Sequence, residues 1–257
     1  MKKICISLLA LLAAVATRAA AYDTLDGKPA IWVAHRGGNV EADENTLKAY
    51  QIAAGYGADV IECDPRLTKD GVVISMHDPS LDRTTSGKGK VSELNIAEIK
   101  SYRTKSGEQV PTIEEILEFA KSAGISVYLD TKDEKNMDYL DQLAALSARC
   151  GMEKNVIVGL WNNAQLKYMS EHHPEMATCI SWPWPLNSLK RAKKLGASWV
   201  GTLVPLASRR MIQRAHQQDL KLITLEINDP ETLRQKISFG IDALQTDNPR
   251  LQKELGF

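Results

Sequence analysis

The sequence predicts an α/β fold, a TIM-type (β/α)8 barrel built as one large domain. Short apolar runs of strand character alternate with helix-spaced segments along most of the 257 residues, and that alternation implies a parallel sheet. So many units in one domain favour closure of the sheet into a barrel, and single barrels routinely reach this length. Acids and imidazoles also recur at the ends of the strand-like runs, where barrel enzymes keep their chemistry.

The elements follow in order. Residues 30–34 form a compact apolar run that reads as a buried strand ending in His35-Arg36-Gly37-Gly38, where paired glycines predict a sharp turn and close approach of a ligand. Asn45 or Thr46 caps a helix carrying Leu47, Tyr50, Ile52 and Ala53 at helical spacing, and the strand from Val60 completes a βαβ unit. Glu62 and Asp64 then share one face of that strand while Cys63 points the other way and packs as a small hydrophobe. Lys69-Asp70-Gly71 marks a turn, and Val72-Val73-Ile74 reads as a strand ending at His77-Asp78.

Residues 79–109 break the pattern, with a single short helical piece near 95–101. A connection so long and polar reads as a functional lid or a small subdomain. Thr112 and Glu115 form a capping box where regular structure resumes. Strands at 127–129, 156–158, 177–181, 197–203, 222–227 and 243–246 alternate with helices from there on. They end at Asp130-Thr131-Lys132, near Trp161-Asn162, at the rigid Trp182-Pro183-Trp184-Pro185 loop, and at Asp247. The strand signals number nine where a closed barrel needs eight, so one is misassigned or lies outside the barrel.

The N-terminus reads as a targeting segment. Lys2-Lys3, an apolar stretch over 4–16 and Ala19-Ala20-Ala21 describe a signal peptide, residues 1–21, cleaved before Tyr22. The plainer alternative is a buried N-terminal helix. The apolar stretch is too short to span a bilayer, and Cys5 lies too early for lipid attachment, so no stable membrane anchor is expected. Cleavage removes Lys2, Lys3 and Arg18, leaving a mildly acidic, exported protein, periplasmic or secreted, whose single domain covers residues 22–257. The balance of 32 basic against 32 acidic residues gives no case for a nucleic-acid partner. Cys63, Cys150 and Cys179 have neither metal-finger nor redox spacing; an oxidising compartment would permit a Cys150–Cys179 disulfide. The sequence leaves the oligomeric state open.

On a barrel, His35, Arg36, Glu62, Asp64, His77, Asp130 and Lys132 all fall on one rim. Three carboxylates suit a hard cation, Ca²⁺ or Mg²⁺. Arg36 and Lys132 supply fixed positive charge for phosphate oxygens. His35 and His77 can serve as general acid and general base. Together they describe in-line attack on a phosphodiester. Each also has a plainer reading: interior polar residues for Glu62 and Asp64, a pair between Asp130 and Lys132, and a strand-end hydrogen bond for His77-Asp78. Trp161, Trp182 and Trp184 either line a substrate pocket or pack. His172-His173 reads as a solvated helix end.

These residues carry a resemblance. His35-Arg36-Gly37, Glu44-Asn45-Thr46, Glu62-x-Asp64, Leu67-Thr68-Lys69-Asp70-Gly71, His77-Asp78-Pro79, Leu81-Asp82-Arg83-Thr84-Thr85 and Pro111-Thr112 resemble the glycerophosphodiester phosphodiesterase family. Asn228-Asp229-Pro230 and Thr246-Asp247 fit its closing pattern. The resemblance implies a TIM barrel with a small insertion after the third strand, here about 79–110, and a divalent cation on Glu62, Asp64 and Asp130. It implies His35 and His77 as the acid–base pair, with Arg36 and Lys132 on the phosphate. The implied reaction cleaves glycerophosphodiesters, small-molecule substrates, into sn-glycerol 3-phosphate and an alcohol.

Three departures stand out. Asp130 replaces the family's usual Glu, one methylene shorter. Leu225-Glu226-Ile227-Asn228 replaces a Trp-Thr-x-Asn pattern, and Leu160-Trp161 replaces Ser-Phe; both bear on substrate preference rather than on the phosphodiester chemistry. Cleavage of a lysophospholipid or another phosphodiester at the same site is an alternative, as is a barrel that binds a phosphorylated ligand without turning it over.

Overall fold

A computed structural model describes residues 30–132, 135–181 and 188–257 of the protein; the leader reading and the Trp182–Pro185 loop lie outside the described residues. The first strand, β1 (Ile31–Ala34), is buried along its whole length. Helix α1 (Leu47–Tyr56) follows, capped by the Thr46 hydroxyl, which accepts from the Ala49 amide, and closed by Gly57 at φ 90°. The paired glycines before it are required by packing on that helix. A Cβ on Gly37 would lie 2.7 Å from the Ala49 Cβ, and one on Gly38 2.7 Å from Ile52 Cγ2, so the loop packs directly against α1.

Strand β2 (Val60–Cys63) leads into a hairpin of β3 (Pro65–Leu67) and β4 (Val73–Ser75), which pair antiparallel as a separate two-stranded sheet. The run at 72–74, read as a barrel strand, is therefore the surplus ninth signal. The insertion that follows it stands between the second and third barrel staves. It holds a 3-10 turn (Val91–Glu93) and a short α-helix, α2 (Ile96–Ser101), and a core of its own made by Ile74, Met76, Leu81, Val91, Ile99 and Val110. Helix α3 (Ile113–Ala123) then opens on the expected Thr112–Glu115 capping box and ends at Gly124, φ 67°.

The remaining elements alternate as the sequence predicts: β5 (Ser126–Asp130), α4 (Met137–Arg149), β6 (Val156–Leu160), α5 (Asn163–His172), β7 (Ala177–Ser181), α6 (Ser188–Lys194), β8 (Trp199–Thr202), α7 (Arg209–His216), β9 (Lys221–Glu226), α8 (Pro230–Ser238), β10 (Ala243–Thr246) and α9 (Arg250–Glu254). Asp229 caps α8, its carboxylate accepting from the Thr232 amide. The eight staves close in the order β1-β10-β9-β8-β7-β6-β5-β2, parallel at every junction.

Alternation along each strand sorts the core into two compartments. Ile31, Val33, Val60, Tyr128, Cys179 and Trp199 belong to the cluster that fills the barrel. Trp32, Ile61, Cys63, Val127 and Leu129 face the helices, which puts Cys63 on the back of its strand as predicted. Trp199 is only 1% exposed, so the barrel axis is packed solid. The cysteines at 63, 150 and 179 are free and buried. The disulfide considered for Cys150 and Cys179 is absent, because Cys179 lies inside the barrel and Cys150 in the outer layer at the end of α4. Among the described residues no helix is long and apolar enough to cross a membrane.

Candidate active site

Parallel staves bring their C-terminal ends to one mouth, and the sequence places its charged residues there. Glu62 is in β2 and Asp64 one residue past its end, while Asp130 closes β5. One oxygen from each of the three acids lies within 4.8 Å of the others. Glu62 and Asp64 are each 1% exposed. Burial and the neighbouring Asp64 charge push the Glu62 carboxyl up, because uncompensated buried charge is costly. Burial raises Asp130 also, with Asp64 adding to it against the opposing pull of Lys132. Asp64 behaves oppositely. Burial disfavours its charge, but the Lys132 ammonium and the Asn45 amide hold its carboxyl below the ordinary range.

Lys132 Nζ stands 2.9 Å from Asp64 Oδ1 and also pairs with Asp130 Oδ2, so the plain Asp130–Lys132 pairing is present, widened to a third partner. Asp64 Oδ1 nevertheless accepts no well-directed hydrogen bond and is buried. Three clustered carboxylates, with Asp64 Oδ1 held by the Lys132 ion pair alone, fit a hard divalent cation. Asp130, despite its shorter side chain, reaches the cluster. Trp161, just past β6, has its ring 5.8 Å from the Lys132 ammonium, a cation–π contact at the edge of the mouth.

The histidines arrive by different routes. His35 follows β1, and its Nδ1 is 2.7 Å from Asp247 Oδ1, just past β10. Burial disfavours the imidazolium, yet the Asp247 hydrogen bond and the Glu62 charge outweigh it and raise the pKa to about 9. His77 sits at no barrel-strand end, contrary to the sequence reading. The β3–β4 hairpin carries it back to the mouth, where the Met76 amide donates to the Asp64 carbonyl at 2.8 Å and Arg66 Nε to the His77 carbonyl at 3.0 Å. Its Nδ1 is 2.9 Å from Asp78 Oδ1. His173, read as solvated, is instead tied to Asp141 at 2.7 Å.

Arg36 has a left-handed backbone, φ 54°, uncommon for a bulky residue and concentrated at functional sites. Its amide donates to Glu62 Oε2 at 2.7 Å, and its Nη1 donates to Glu44 Oε1 at 3.0 Å. Its Nε is buried without a hydrogen-bond acceptor, 3.7 Å from Asp64 Oδ2, and so retains a donor for a ligand oxygen.

Several residues to which the sequence reading gave no part in the site hold it together. Asn45, at φ 58°, donates to Asp64 Oδ2 at 2.7 Å and accepts from Tyr50 and Ser75 at 2.9 and 2.6 Å. Asn39 donates to Asp247 at 2.8 Å, and Asn228 Oδ1 accepts from the Asp247 backbone amide at 2.9 Å. Glu44, Asn45, Asn228 and Asp247 all fall in the quoted motifs, but spacing alone does not show what they touch.

A solid barrel with an ion-ready acid cluster and fixed cations at its mouth defines a class: barrel hydrolases of phosphate esters. A sequence model of the "Glycerophosphoryl diester phosphodiesterase family" matches residues 35–251. A glycerophosphodiester phosphodiesterase from Caldanaerobacter subterraneus is 26% identical over 84% of this chain and 93% of its own length. One from Bacillus subtilis is 41% identical over 39% of each chain. The crystal structure of the Agrobacterium tumefaciens enzyme superposes with a TM-score of 0.77 at 26% identity, covering 86% of this chain and 98% of that one. That of an Oleispira antarctica phosphodiesterase in complex with the product sn-glycerol-3-phosphate gives 0.80 at 23% identity, covering 91% and 98%. The chain belongs to the glycerophosphoryl diester phosphodiesterase family, and it is a phosphoric diester hydrolase.

Proposed function

We propose that the chain hydrolyses glycerophosphodiesters to an alcohol and sn-glycerol 3-phosphate, the product named for the Oleispira structure. The observation that carries this reading is the convergence of Glu62, Asp64 and Asp130 within 4.8 Å beside Arg36 and Lys132. Those three acids would hold a divalent cation, Ca²⁺ or Mg²⁺, which when bound draws charge from the non-bridging phosphate oxygens. Arg36, with its unused Nε, and Lys132 bind and orient the phosphate. Trp161 borders the substrate beside Lys132. Of His35 and His77, one imidazole takes the proton of the attacking oxygen. The other gives a proton to the departing alkoxide as its bond to phosphorus breaks. Asp247 and Asp78 each fix the Nδ1 side of one ring, leaving Nε2 to face the reacting atoms. Export with cleavage before Tyr22 forms part of this proposal, supported by the Lys2-Lys3 and apolar leader; N-terminal sequencing of the mature protein tests it.

Phosphorus NMR on purified protein with glycerophosphocholine tests the reaction. Turnover that disappears with EDTA, returns with Ca²⁺ or Mg²⁺, and is absent in folded His35→Ala and His77→Ala is the expected result. Undiminished turnover in metal-stripped His77→Ala would end the proposal.

A further inference from the structure

We propose that Arg83, supplied by the insertion, is a positioning residue that locks His77 and Arg36 into one fixed relation across the mouth. The inference rests on the reading above, that these two residues act on the substrate.

The geometry is a continuous chain of alternating charge. His77 Nδ1 is 2.9 Å from Asp78 Oδ1. Arg83 Nε donates to Asp78 Oδ2 at 2.6 Å, and Nη2 reaches Oδ1 at 3.1 Å. The same guanidinium donates through Nη1 to Glu44 Oε2 at 2.8 Å and through Nη2 to Glu44 Oε1 at 2.7 Å. Glu44 Oε1 in turn accepts from Arg36 Nη1 at 3.0 Å. One planar fork thus engages two carboxylates bidentately, a geometry that lysine cannot supply.

Arg83 is 47% exposed, and an exposed ion pair by itself contributes little to stability. Its effect here is orientational. Asp78 belongs to a surface segment and is free to swing about χ1 unless something holds both its oxygens. A rotated Asp78 releases the His77 ring and the tautomer it carries. Glu44, freed on the other side, leaves the Arg36 guanidinium without its only hydrogen-bonded carboxylate among the described contacts. The insertion is suited to carry such a strut, because Leu81 and Ile99 in its separate core are fully buried. The backbone that presents Arg83 is therefore anchored, with Thr85 bridging to Thr104 and the Ser106 amide bonded to Asp43 at 2.7 Å.

The test is steady-state kinetics on the metal-loaded full chain with glycerophosphocholine. Arg83→Met, Arg83→Lys, Asp78→Asn and the Arg83→Met/Asp78→Asn double variant are compared, with thermal melts run alongside. Arg83→Met is expected to lower kcat tenfold or more and to raise KM severalfold, with Arg83→Lys between it and wild type. Asp78→Asn should lower kcat with KM little changed. The double variant should have a kcat no lower than the worse single one, since both cut the same link. Values of kcat and KM within twofold of wild type in Arg83→Met, or losses that multiply in the double variant, overturn the proposal. Should Arg83→Met melt early, Glu44→Gln and Asp78→Asn divide the strut from its two ends. A rise in KM alone for the first and a fall in kcat alone for the second sustain it, and identical effects on both parameters overturn it. His77→Ala and Arg36→Ala are the controls. If they turn over normally, the functional reading fails; if they are inactive while Arg83→Met is normal, only this inference does.

Discussion

His35 and Asp247 lie 212 residues apart in the chain and 2.7 Å apart in the fold. Adjacent staves β1 and β10 make this possible, since their register sets Ala34 opposite Thr246. Each acts on the other. Burial works against both charges, yet the shared hydrogen bond lifts the His35 pKa to about 9 and holds the Asp247 carboxyl below its usual range.

The sign of the resulting pH dependence follows from linkage. A raised histidine pKa gives a contribution fully present below its ordinary value of 6.5 and lost as pH rises through about 9. The Tm difference between wild type and Asp247→Asn, measured metal-free, is therefore expected to be larger at pH 6 than at pH 10. An unchanged difference across that range would show that the pair does not titrate as a unit. In the same variant the His35 resonance, followed by NMR, should titrate at lower pH than in wild type.

Metal removal supplies a second prediction. Burial disfavours the ionised forms of Glu62 and Asp130, and a divalent cation bound among the three acids would favour them, so it should stabilise the folded protein. Saturation at about 100 times Kd contributes ~2.7 kcal/mol, which for a domain of this size is on the order of 5–10 °C in Tm. Asp64→Asn removes one of the three proposed ligands and should abolish most of that shift. A full metal-induced shift in Asp64→Asn would place the ion elsewhere.

Gly37 gives a packing test. At φ 87°, with a built Cβ 2.7 Å from the Ala49 Cβ and 2.8 Å from the Ala49 carbonyl carbon, Gly37→Ala combines backbone strain with overlap. A loss of roughly 2–4 kcal/mol is expected. Gly124→Ala, also at positive φ but with open space around its Cβ position, should cost less, about 1 kcal/mol. Urea denaturation of the two variants checks the order, and equal losses would contradict the packing account.

The insertion's core makes a fourth prediction. Leu81 is fully buried among Ile74, Val91 and Ile99, so Leu81→Ala should cost ~2–5 kcal/mol locally. Hydrogen exchange should accelerate over 79–110 while the barrel strands stay protected, and kcat should fall along with the order of that segment. Uniform acceleration across the chain would mean that the insertion and the barrel unfold as one cooperative unit.

Much of this site is legible in the sequence because its information is local. Glu62 and Asp64 share a face by strand alternation alone, and the Thr112–Glu115 capping box is written in a short spacing. The barrel itself follows from alternating elements. What the sequence hides are pairings between distant segments. The three residues of β3 begin with proline and show no periodic signal, so the partner of residues 73–75 is invisible and that run is taken for a barrel stave. The roles of Asp247 and Arg83 are hidden in the same way. Each is a single charged residue whose partner is chosen by the closure of the barrel or by the docking of the insertion.

The side chains of Tyr128, Cys179 and Trp199 turn the ring of staves into a cup with a floor. Substrate has one doorway, and both fragments of the cleaved molecule must leave through it.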